Sequence, residues 1–312
     1  MKEQGINRVA VVGAGLMGFG IGLDFARFGY EVNLYNTTKA TSDLAIKRSR
    51  EALDLMVETE LVTADEALAA YKCLRFTTYV EESVSRADFV IESAPEILSL
   101  KQDLFTRLDV LCAPEIILAS NTSALRITDI ALKSVHQERI LRTHYFSPAQ
   151  FIPLVEVHGG EKTDRELVEK TARILRGVRK KVVIFELDLA GAVGSRIQGA
   201  QNRDIQAMID EGICDPHTMD DIIEFGFGRR LAFTGFFKRQ DLLGLDFVHT
   251  VSTSKGQKPW GPLEEHVKRG ELGMKSGKGF YDWPGDSAEK LQRKLNMELI
   301  RLLKQDMKNG SI

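Results

Sequence analysis

The sequence predicts an α/β protein in which a doubly wound, mostly parallel sheet precedes an all-helical C-terminal region. Three observations support this prediction. Short apolar runs alternate with helical segments as far as Glu186, a glycine-rich turn joins the first strand to the first helix, and no convincing strand follows Glu186. A chain of 312 residues is long enough for two domains of ordinary size.

The N-terminal segment has the pattern of a strand, turn, helix and second strand. Arg8–Val12 is a short apolar run, and the glycine-rich turn Gly13–Gly18 follows it directly. Apolar residues at helical spacing then continue to Gly29, and Tyr30–Tyr35 alternates as a strand does. The first 35 residues therefore predict a βαβ unit.

The rest of the sheet follows from further apolar runs separated by helical patterns. A charged helical insertion is predicted at about 39–71, and helices are predicted at Leu100–Leu111 and Arg165–Leu175. The remaining strands are predicted at Leu74–Thr77, Phe89–Glu92, Ile116–Ser120, Ile140–His144, Leu154–His158 and Val182–Phe185.

The second half of the chain shows helical patterns and no strand. We expect a nucleotide-binding domain at 1–188 and an all-helical domain at 189–312 that serves substrate binding and dimerisation. The helices predicted in the second domain are Ala192–Ile209, Thr218–Phe225, Leu242–Thr250 and Ala288–Leu303.

Composition and charge exclude several classes of function. A net charge of -2 and the absence of long basic runs argue against a nucleic-acid partner. No apolar run is long enough to span a membrane, and the N-terminus lacks the apolar segment of a signal peptide. The three cysteines, Cys73, Cys112 and Cys214, have no disulfide or zinc-ligand spacing. We therefore expect a cytoplasmic protein that has neither a membrane span nor a metal site.

The turn Gly13-Ala-Gly15-Leu16-Met17-Gly18 has the spacing of a dinucleotide-binding loop. Gly13 permits the tight turn, Gly15 lets the backbone approach a pyrophosphate, and Gly18 lets the helix pack closely on the strand. The N-terminus of the helix adds free N–H donors for phosphate. This context predicts a Rossmann-like domain.

The end of the second strand decides which nicotinamide cofactor fits. NAD sites usually place Asp or Glu there to accept from the ribose hydroxyls. This chain has Asn36, followed by Thr37, Thr38 and Lys39, which would not repel a 2′-phosphate. The expected cofactor is NAD, and Asn36 leaves NADP as the alternative.

Several motifs in order resemble the 3-hydroxyacyl-CoA dehydrogenase family. Besides the glycine turn, they are Ile91–Glu96 leading to Lys101, Asn121–Leu125, Arg142–Pro148, Leu154–Val157 and Gly273–Tyr281. The resemblance covers nearly the whole chain. It implies a Rossmann-like domain followed by a helical domain that often forms a homodimer.

The resemblance also implies roles for individual residues. His144 would be the general base, Glu156 would orient it, and Ser123 would polarise the substrate oxygen. The expected cofactor-contacting residues are Gly13, Gly15, Leu16, Met17, Gly18, Asn36, Glu96, Lys101, Ser123 and Ser147.

The chemistry of alcohol oxidation requires these residue types. The hydroxyl proton must leave as hydride leaves carbon, and an imidazole can take that proton near neutral pH. A carboxylate on the other ring nitrogen fixes the tautomer and stabilises the imidazolium.

Three departures from the family pattern weaken the assignment of a CoA thioester as substrate. Ser147 and Ser195 stand where the family usually has Asn. Ser195 therefore suggests a reshaped substrate pocket, although a small residue at a helix contact would explain it equally. The segment Glu51–Glu60 is acidic and would repel the phosphates of CoA, unless it is simply an exposed helical face.

The stretch Gly226–Gly235 contains Arg229 and Arg230. Its form resembles the L-gulonate dehydrogenase (lambda-crystallin) and carnitine dehydrogenase branches, and Gly159–Thr163 with Asp241–Asp246 resembles pyridine-carboxylate dehydrogenases of the same family. A guanidinium binds a carboxylate bidentately. We therefore expect Arg230, with Arg229 as a second candidate, to bind a substrate carboxylate. The alternative is a surface ion pair with Asp220 or Asp221.

The predicted function is an NAD(P)-dependent dehydrogenase that interconverts a secondary alcohol and a ketone on a small hydroxy acid. The first alternative is a 3-hydroxyacyl-CoA (3-hydroxybutyryl-CoA) dehydrogenase. The second is a cofactor-binding, crystallin-like protein without turnover, which the presence of Ser123, His144 and Glu156 disfavours.

Overall fold

A computed structural model describes residues 3–254, 256 and 258–312. Its sheet has eight strands in the order β3-β2-β1-β4-β5-β6-β7-β8. The strands are β1 Arg8–Val12, β2 Glu31–Tyr35, β3 Leu74–Thr77, β4 Phe89–Glu92, β5 Ile117–Ser120, β6 Ile140–Tyr145, β7 Leu154–Gly159 and β8 Lys181–Ile184. Each begins and ends within one residue of the predicted bounds.

The sheet is parallel from β3 to β6 and reverses direction at its far edge. β6 pairs with β7 in antiparallel register, and β8 runs parallel to β7. The strand order changes direction between β1 and β4, which is where ligands bind in open α/β sheets. The predicted doubly wound, mostly parallel sheet is confirmed.

Helices cover both faces of the sheet and bury two apolar clusters against it. One cluster includes Val9, Phe25 and Leu141, and the other includes Val12, Phe105 and Ile140. The helices are α1 Gly18–Ala26, α2 Lys39–Glu58, α3 Ala64–Lys72, α4 Val80–Val84, α5 Leu98–Leu111, α6 Ile127–Ala131 and α7 Arg165–Gly177. The predicted insertion at 39–71 is α2 and α3.

After β8 the described residues form helices and, apart from isolated β-bridges of Lys278 with Gly273 and Asp282, no β-structure. They are α8 Val193–Asp210, α9 Pro216–Asp221, α10 Gly228–Thr234, α11 Phe236–Leu243, α12 Leu245–Ser254, α13 Gly261–Lys268 and α14 Ser287–Asn309. The predicted helix Leu242–Thr250 is wrong at its start, because Gly244 adopts a φ of +93° and separates α11 from α12. The predicted helix Thr218–Phe225 is α9 followed by a π-helical segment, Ile222–Phe227.

Contacts divide the chain into two compact units, Met1–Gln201 and Asn202–Ile312, so the division falls within α8. None of the helices that the structure describes is both long enough and apolar enough to span a membrane.

A buried carboxylate organises the late glycine-rich motif of the second unit. Asp241 on α11 accepts hydrogen bonds from the Phe280 and Tyr281 amides, each at 3.0 Å, and from Trp283 Nε1 at 2.8 Å. Gly273 adopts a φ of +90°, and a Cβ there would lie 2.3 Å from the Asp241 carbonyl oxygen. The motif Gly273–Tyr281 therefore holds this unit together around Asp241.

A buried ion pair fixes the segment that leads into β6. Arg139, at 1% exposure, donates from Nε and Nη2 to Asp109 Oδ1 at 3.1 and 2.7 Å. Burial of Asp109 favours its neutral form, but Arg139 and the amides of His136 and Val135 outweigh burial, so its pKa lies below the ordinary value. The pair anchors β6 to α5.

We predict that Asp109→Asn lowers the free energy of unfolding by about 3–5 kcal/mol, because it leaves the Arg139 charge buried without a partner. Urea unfolding at pH 7 measures this loss. A carboxylate with a lowered pKa stabilises the fold above its unfolded pKa and loses that contribution as pH falls through its folded pKa. The difference between variant and wild type should therefore shrink below about pH 4.

The matched control is Asp103→Asn on the same helix, since Asp103 and its partner Lys133 are both largely exposed. Its unfolding midpoint should stay close to that of the wild type. Equal losses in the two variants would contradict the role assigned to the Arg139–Asp109 pair.

Candidate functional site

The three glycines of the turn differ in what surrounds them. Gly13 has a φ of +101°, and a Cβ there would lie 2.6 Å from the Ser93 carbonyl oxygen. A Cβ at Gly18 would lie 2.1 Å from the Gly13 carbonyl oxygen, whereas nothing lies within 4 Å of a Cβ built on Gly15. Gly13 and Gly18 are therefore required by packing, while Gly15 leaves room for a ligand.

A cavity of about 760 Å³ lies over this turn. The turn residues Gly13, Gly15, Leu16 and Met17 line it, and α1 begins beside it at Gly18. Its volume is ordinary for a cofactor site, and a helix N-terminus provides N–H donors for a phosphate. The open space at Gly15 and the adjacent helix terminus fit the pyrophosphate of a dinucleotide.

Asn36 lies at the end of β2 and lines the same cavity. Its Nδ2 donates to the carbonyl oxygens of Ala14 at 3.5 Å and Thr41 at 3.2 Å, which an aspartate could not do. Among the described residues its Oδ1 accepts no hydrogen bond, so that oxygen remains for a ribose hydroxyl. Lys39 pairs with Asp43, which partly neutralises the nearby positive charge. These features favour NAD.

Glu92 and Lys101 form a buried ion pair beneath the cavity. Lys101 Nζ lies 2.5 Å from Glu92 Oε1 and donates to the Ala94 carbonyl oxygen at 3.1 Å. Ser120 Oγ donates to Glu92 Oε2 at 2.5 Å. Lys101 is 1% exposed and does not line the cavity, so this expected cofactor contact lies behind the cavity wall.

Glu96 connects the cavity wall to the loop after β5. Its Oε1 accepts hydrogen bonds from the Ser123 amide at 3.0 Å and the Ala124 amide at 2.8 Å, and also from Thr122 Oγ1. Burial opposes its ionisation, but Thr122, the Ala124 amide and Lys101 hold its pKa below the ordinary value. The ionised Glu96 therefore fixes the backbone of Ser123.

His144 and Glu156 are directly opposite each other in the β6–β7 pair. His144 Nδ1 lies 2.9 Å from Glu156 Oε2, and both side chains are almost fully buried. An Nδ1–H that donates to this carboxylate leaves Nε2 unprotonated and able to act as a base. The expected base and its orienting residue are therefore in hydrogen-bond contact.

Two residues at the start of α8 complete the surroundings of this pair. The Gly194 amide donates to Glu156 Oε1 at 2.9 Å, and Ser195 Oγ lies 3.4 Å from His144 Nε2. Burial favours the neutral form of Glu156, but His144, the Gly194 amide and Arg142 hold its pKa below the ordinary value. Ser195 Oγ therefore lies beside the ring nitrogen of the expected base.

Ser123 and Ser147 lie on the two loops that flank the His144 strand. The Ala192 amide donates to the Ser123 carbonyl oxygen at 2.9 Å, which joins the Ser123 loop to the segment preceding α8. Ser147 is exposed and precedes the cis peptide bond to Pro148. Neither side chain hydrogen-bonds to His144 among the described residues, and neither lines the cavity.

The two adjacent arginines of the second unit differ in their partners. Arg229 forms an ion pair with Asp306 on α14, so its charge is already neutralised by a carboxylate of this chain. Arg230 forms no ion pair with Asp220, Asp221 or any other described carboxylate, and its Nε is buried without a hydrogen-bond partner. Burial and the positive charge of Arg230 lower the pKa of Arg239 on α11. Arg239 is therefore the second cation beside Arg230.

The structure adds residues that sequence reasoning did not single out. Asn121 lines the cavity and accepts a hydrogen bond from the Tyr145 amide at 2.9 Å, which joins the cavity to the His144 strand. Glu92 ends an otherwise apolar strand, and Arg142 follows two apolar residues at the start of β6, and those placements were the available signal. Nothing in the local pattern indicates the hydrogen bond from Gly194.

Family models match both parts of the chain. The NAD-binding domain of 3-hydroxyacyl-CoA dehydrogenase matches residues 8–188, and the C-terminal domain of the same enzyme matches residues 191–283.

Individual relatives are similar over almost the whole length. The 5-formyl-3-hydroxy-2-methylpyridine 4-carboxylate 5-dehydrogenase of Mesorhizobium japonicum is 31% identical over 95% of this chain and 96% of its own. The L-carnitine dehydrogenase of Oceanobacillus iheyensis is 28% identical over 96% and 97%. The crystal structure of a 3-hydroxyacyl-CoA dehydrogenase from Archaeoglobus fulgidus superposes with a TM-score of 0.77, at 28% identity over 95% and 99%.

We predict that Gly15→Ala folds normally but binds NADH at least about tenfold more weakly, because its Cβ would occupy the open space in the turn. Gly18→Ala is the matched comparison, and it should lower the unfolding temperature because its Cβ meets the Gly13 carbonyl. Calorimetric titration with NADH and thermal unfolding separate the two effects. Unchanged NADH affinity in a folded Gly15→Ala variant would show that the pyrophosphate does not bind at this turn.

Proposed function

Because the chain belongs to the 3-hydroxyacyl-CoA dehydrogenase family of NAD-dependent oxidoreductases, we propose that it interconverts a secondary alcohol and a ketone on a small carboxylate-bearing substrate. The observation that carries this proposal is the buried contact between His144 and Glu156. It lies on the strand that Asn121 joins to the dinucleotide cavity.

Bound NAD supplies the hydride acceptor, and the residues of this chain manage the proton. His144 Nε2 takes the proton from the substrate hydroxyl, while Glu156 accepts the Nδ1 hydrogen bond and stabilises the imidazolium that forms. Ser195, 3.4 Å from Nε2, would hydrogen-bond the same oxygen, and Ser123 would polarise it. In the reverse direction His144 returns the proton to the ketone oxygen.

The identity of the substrate rests on Arg230. A buried guanidinium nitrogen without a partner favours an anionic ligand, because an unpaired buried donor is costly. The neighbouring charge of Arg239 adds to the attraction for an anion, since Coulombic repulsion between two cations is relieved when a carboxylate binds. The similar proteins are named for both substrate classes, a pyridine carboxylate and carnitine on one side and 3-hydroxybutyryl-CoA on the other, so the choice of a small acid rests on Arg230.

We further infer a homodimer formed through the second unit, and a cytoplasmic location. Apolar side chains on α14 are exposed at helical spacing, and such a stripe is typical of an interface. They are Met297, Ile300, Leu303 and Met307. The three cysteines are unpaired, as is usual in a reducing compartment.

We predict that His144→Gln lowers kcat by roughly a hundredfold or more, because the variant can hydrogen-bond the substrate but cannot take its proton. Affinity for NADH should stay close to that of the wild type. The measurement is stopped-flow hydride transfer on the best substrate from a screen of sugar acids, betaines, aromatic hydroxy acids and acyl-CoA thioesters. Hydride transfer at the wild-type rate would refute the general-base role.

We predict that Arg230→Met raises KM for a hydroxy-acid substrate by roughly tenfold or more, because a charge-assisted bidentate contact is lost. Arg239→Met should cause a smaller increase of the same kind. Arg165→Met on α7, whose largely exposed side chain pairs with Glu186, is the control and should leave KM unchanged. If Arg230→Met leaves hydroxy-acid kinetics intact and abolishes acetoacetyl-CoA reduction, the substrate is an acyl-CoA.

A further inference from the structure

Arg142 lies in the β6 strand two residues before His144. Alternate residues of a strand share a face, so Arg142 and His144 are on the same face of the sheet. On β7 the register partner of Arg142 is His158, two residues after Glu156. Arg142–His158 and His144–Glu156 are therefore consecutive cross-strand pairs on one face.

Arg142 connects the β6 strand to two loops that carry site residues. Its Nη2 donates to the Leu125 carbonyl oxygen and, at 3.5 Å, to the Leu189 carbonyl oxygen. Leu125 follows Ser123 by two residues, and Leu189 precedes Gly194. Arg142 Nη2 thus contacts two segments, the loop that carries Ser123 and the segment that leads to Gly194. Both segments lie next to the His144–Glu156 pair.

The charge of Arg142 is not neutralised by a close partner. The residue is 0% exposed, and no described carboxylate lies within ion-pair distance. Its Nε and Nη1 are buried and form no hydrogen bond with the described residues. The charged groups that face it are Asp188 before α8, Glu96 after β4 and Glu156 on β7.

His158 adds no competing charge to this cluster. Burial and the positive charge of Arg142 lower the pKa of His158, so its imidazole is neutral near neutral pH. Asp188 is already committed to the Ile127 and Thr128 amides at 3.0 and 2.9 Å. The charge of Arg142 therefore interacts with Asp188 first, then with Glu96 and Glu156, and it is the last of several groups that lower the pKa of Glu156.

A buried arginine is an expensive choice for a strand interior. An apolar side chain of similar volume would avoid the desolvation cost and would fit Ile140, which lies on the same face of the strand. Costly local choices that break the pattern of an element are typical of functional positions. The fold alone therefore does not account for Arg142.

We propose that Arg142 is a positioning residue for the dehydrogenase reaction, which holds the Ser123 and Gly194 segments against the His144 strand and places a buried positive charge on the sheet face that carries Glu156. This inference rests on the proposed function, because it assigns a role relative to the His144 base. The two parts of the role, charge and hydrogen bonding, can be separated by substitution.

The test compares Arg142→Met, Arg142→Lys and the wild type. The titration of Glu156 is followed by NMR of ¹³C-labelled glutamate carboxyls, with Glu156→Gln to assign the signal. Since the Glu156 pKa is lowered in the wild type and Arg142 contributes to lowering it, Arg142→Met should raise the midpoint. The acidic limb of the kcat/KM profile should move in the same direction.

Arg142→Lys keeps the positive charge but lacks the planar group that contacts both carbonyls. Its Glu156 midpoint should stay close to that of the wild type, while kcat falls roughly tenfold to a hundredfold through misplacement of the site segments. Binding of NADH should change little in either variant.

Arg139→Met is the control for a purely structural effect. Arg139 is equally buried but pairs with Asp109, so its loss should destabilise the fold without moving the Glu156 midpoint. A midpoint that does not move in Arg142→Met, or that moves equally in Arg139→Met, would overturn the proposal. If Arg142→Met does not fold, the test rests on Arg142→Lys. The proposal would then be overturned if both the Glu156 midpoint and kcat of Arg142→Lys equal the wild-type values.

The carboxyl titration requires no turnover, so it distinguishes two failures. If no hydroxy acid is oxidised but the Glu156 midpoint still moves in Arg142→Met, the substrate assignment fails and the action of Arg142 on Glu156 stands.

Discussion

The antiparallel register of β6 against β7 is the constraint on which the site depends. It places His144 directly opposite Glu156 and Arg142 opposite His158. A slip of one residue would turn one member of each pair to the other face of the sheet. The reversal of β7 and β8 relative to the other strands therefore creates the His144–Glu156 contact, and the buried segment at Arg139 fixes where β6 begins.

Buried charges near the ends of the strands link the cavity to this pair. Glu92 holds Lys101 behind the cavity wall, and Glu96 holds the backbone of Ser123. The Ser123 loop is in turn hydrogen-bonded to the segment before α8. At the start of α8, the Gly194 amide donates a hydrogen bond to Glu156. Because each contact in a low-dielectric interior costs much to break, the chain of contacts makes the geometry rigid. A rigid site needs little reorganisation during proton transfer.

Much of the fold was predictable from sequence because the strands are short apolar runs bounded by turn residues. The positions of β1 to β8 and the insertion at 39–71 follow from that pattern. The sequence did not indicate that Gly244 separates α11 from α12, because a glycine inside an apolar helical pattern is also compatible with a continuous helix. The motif Gly273–Tyr281 indicated family membership, but its packing around Asp241 depends on contacts between distant residues.

The sequence predicted which residues belong to the candidate site better than it predicted which residues contact one another there. The motifs indicated His144, Glu156 and the glycine turn, whereas the part played by Arg142 and Glu92 depends on which residues lie opposite them in the sheet. Lys101 illustrates the difference, because a motif position marked it for the cofactor and the fold pairs it with Glu92. Spacing along the chain does not reveal such partners.

Arg229 and Arg230 show how neighbouring residues of one type acquire different roles. Consecutive residues of a helix point about 100° apart, so one side chain reaches Asp306 and the other does not. Arg229 therefore forms a structural ion pair, whereas Arg230 is a cation without a carboxylate partner among the described residues. Arg239, which follows on the next helix, α11, is the second positive charge beside Arg230. His144 and Glu156 belong to the first unit, and Arg230 belongs to the second. On the function proposed above, substitutions around Arg230 would change which substrate binds without altering the His144–Glu156 contact.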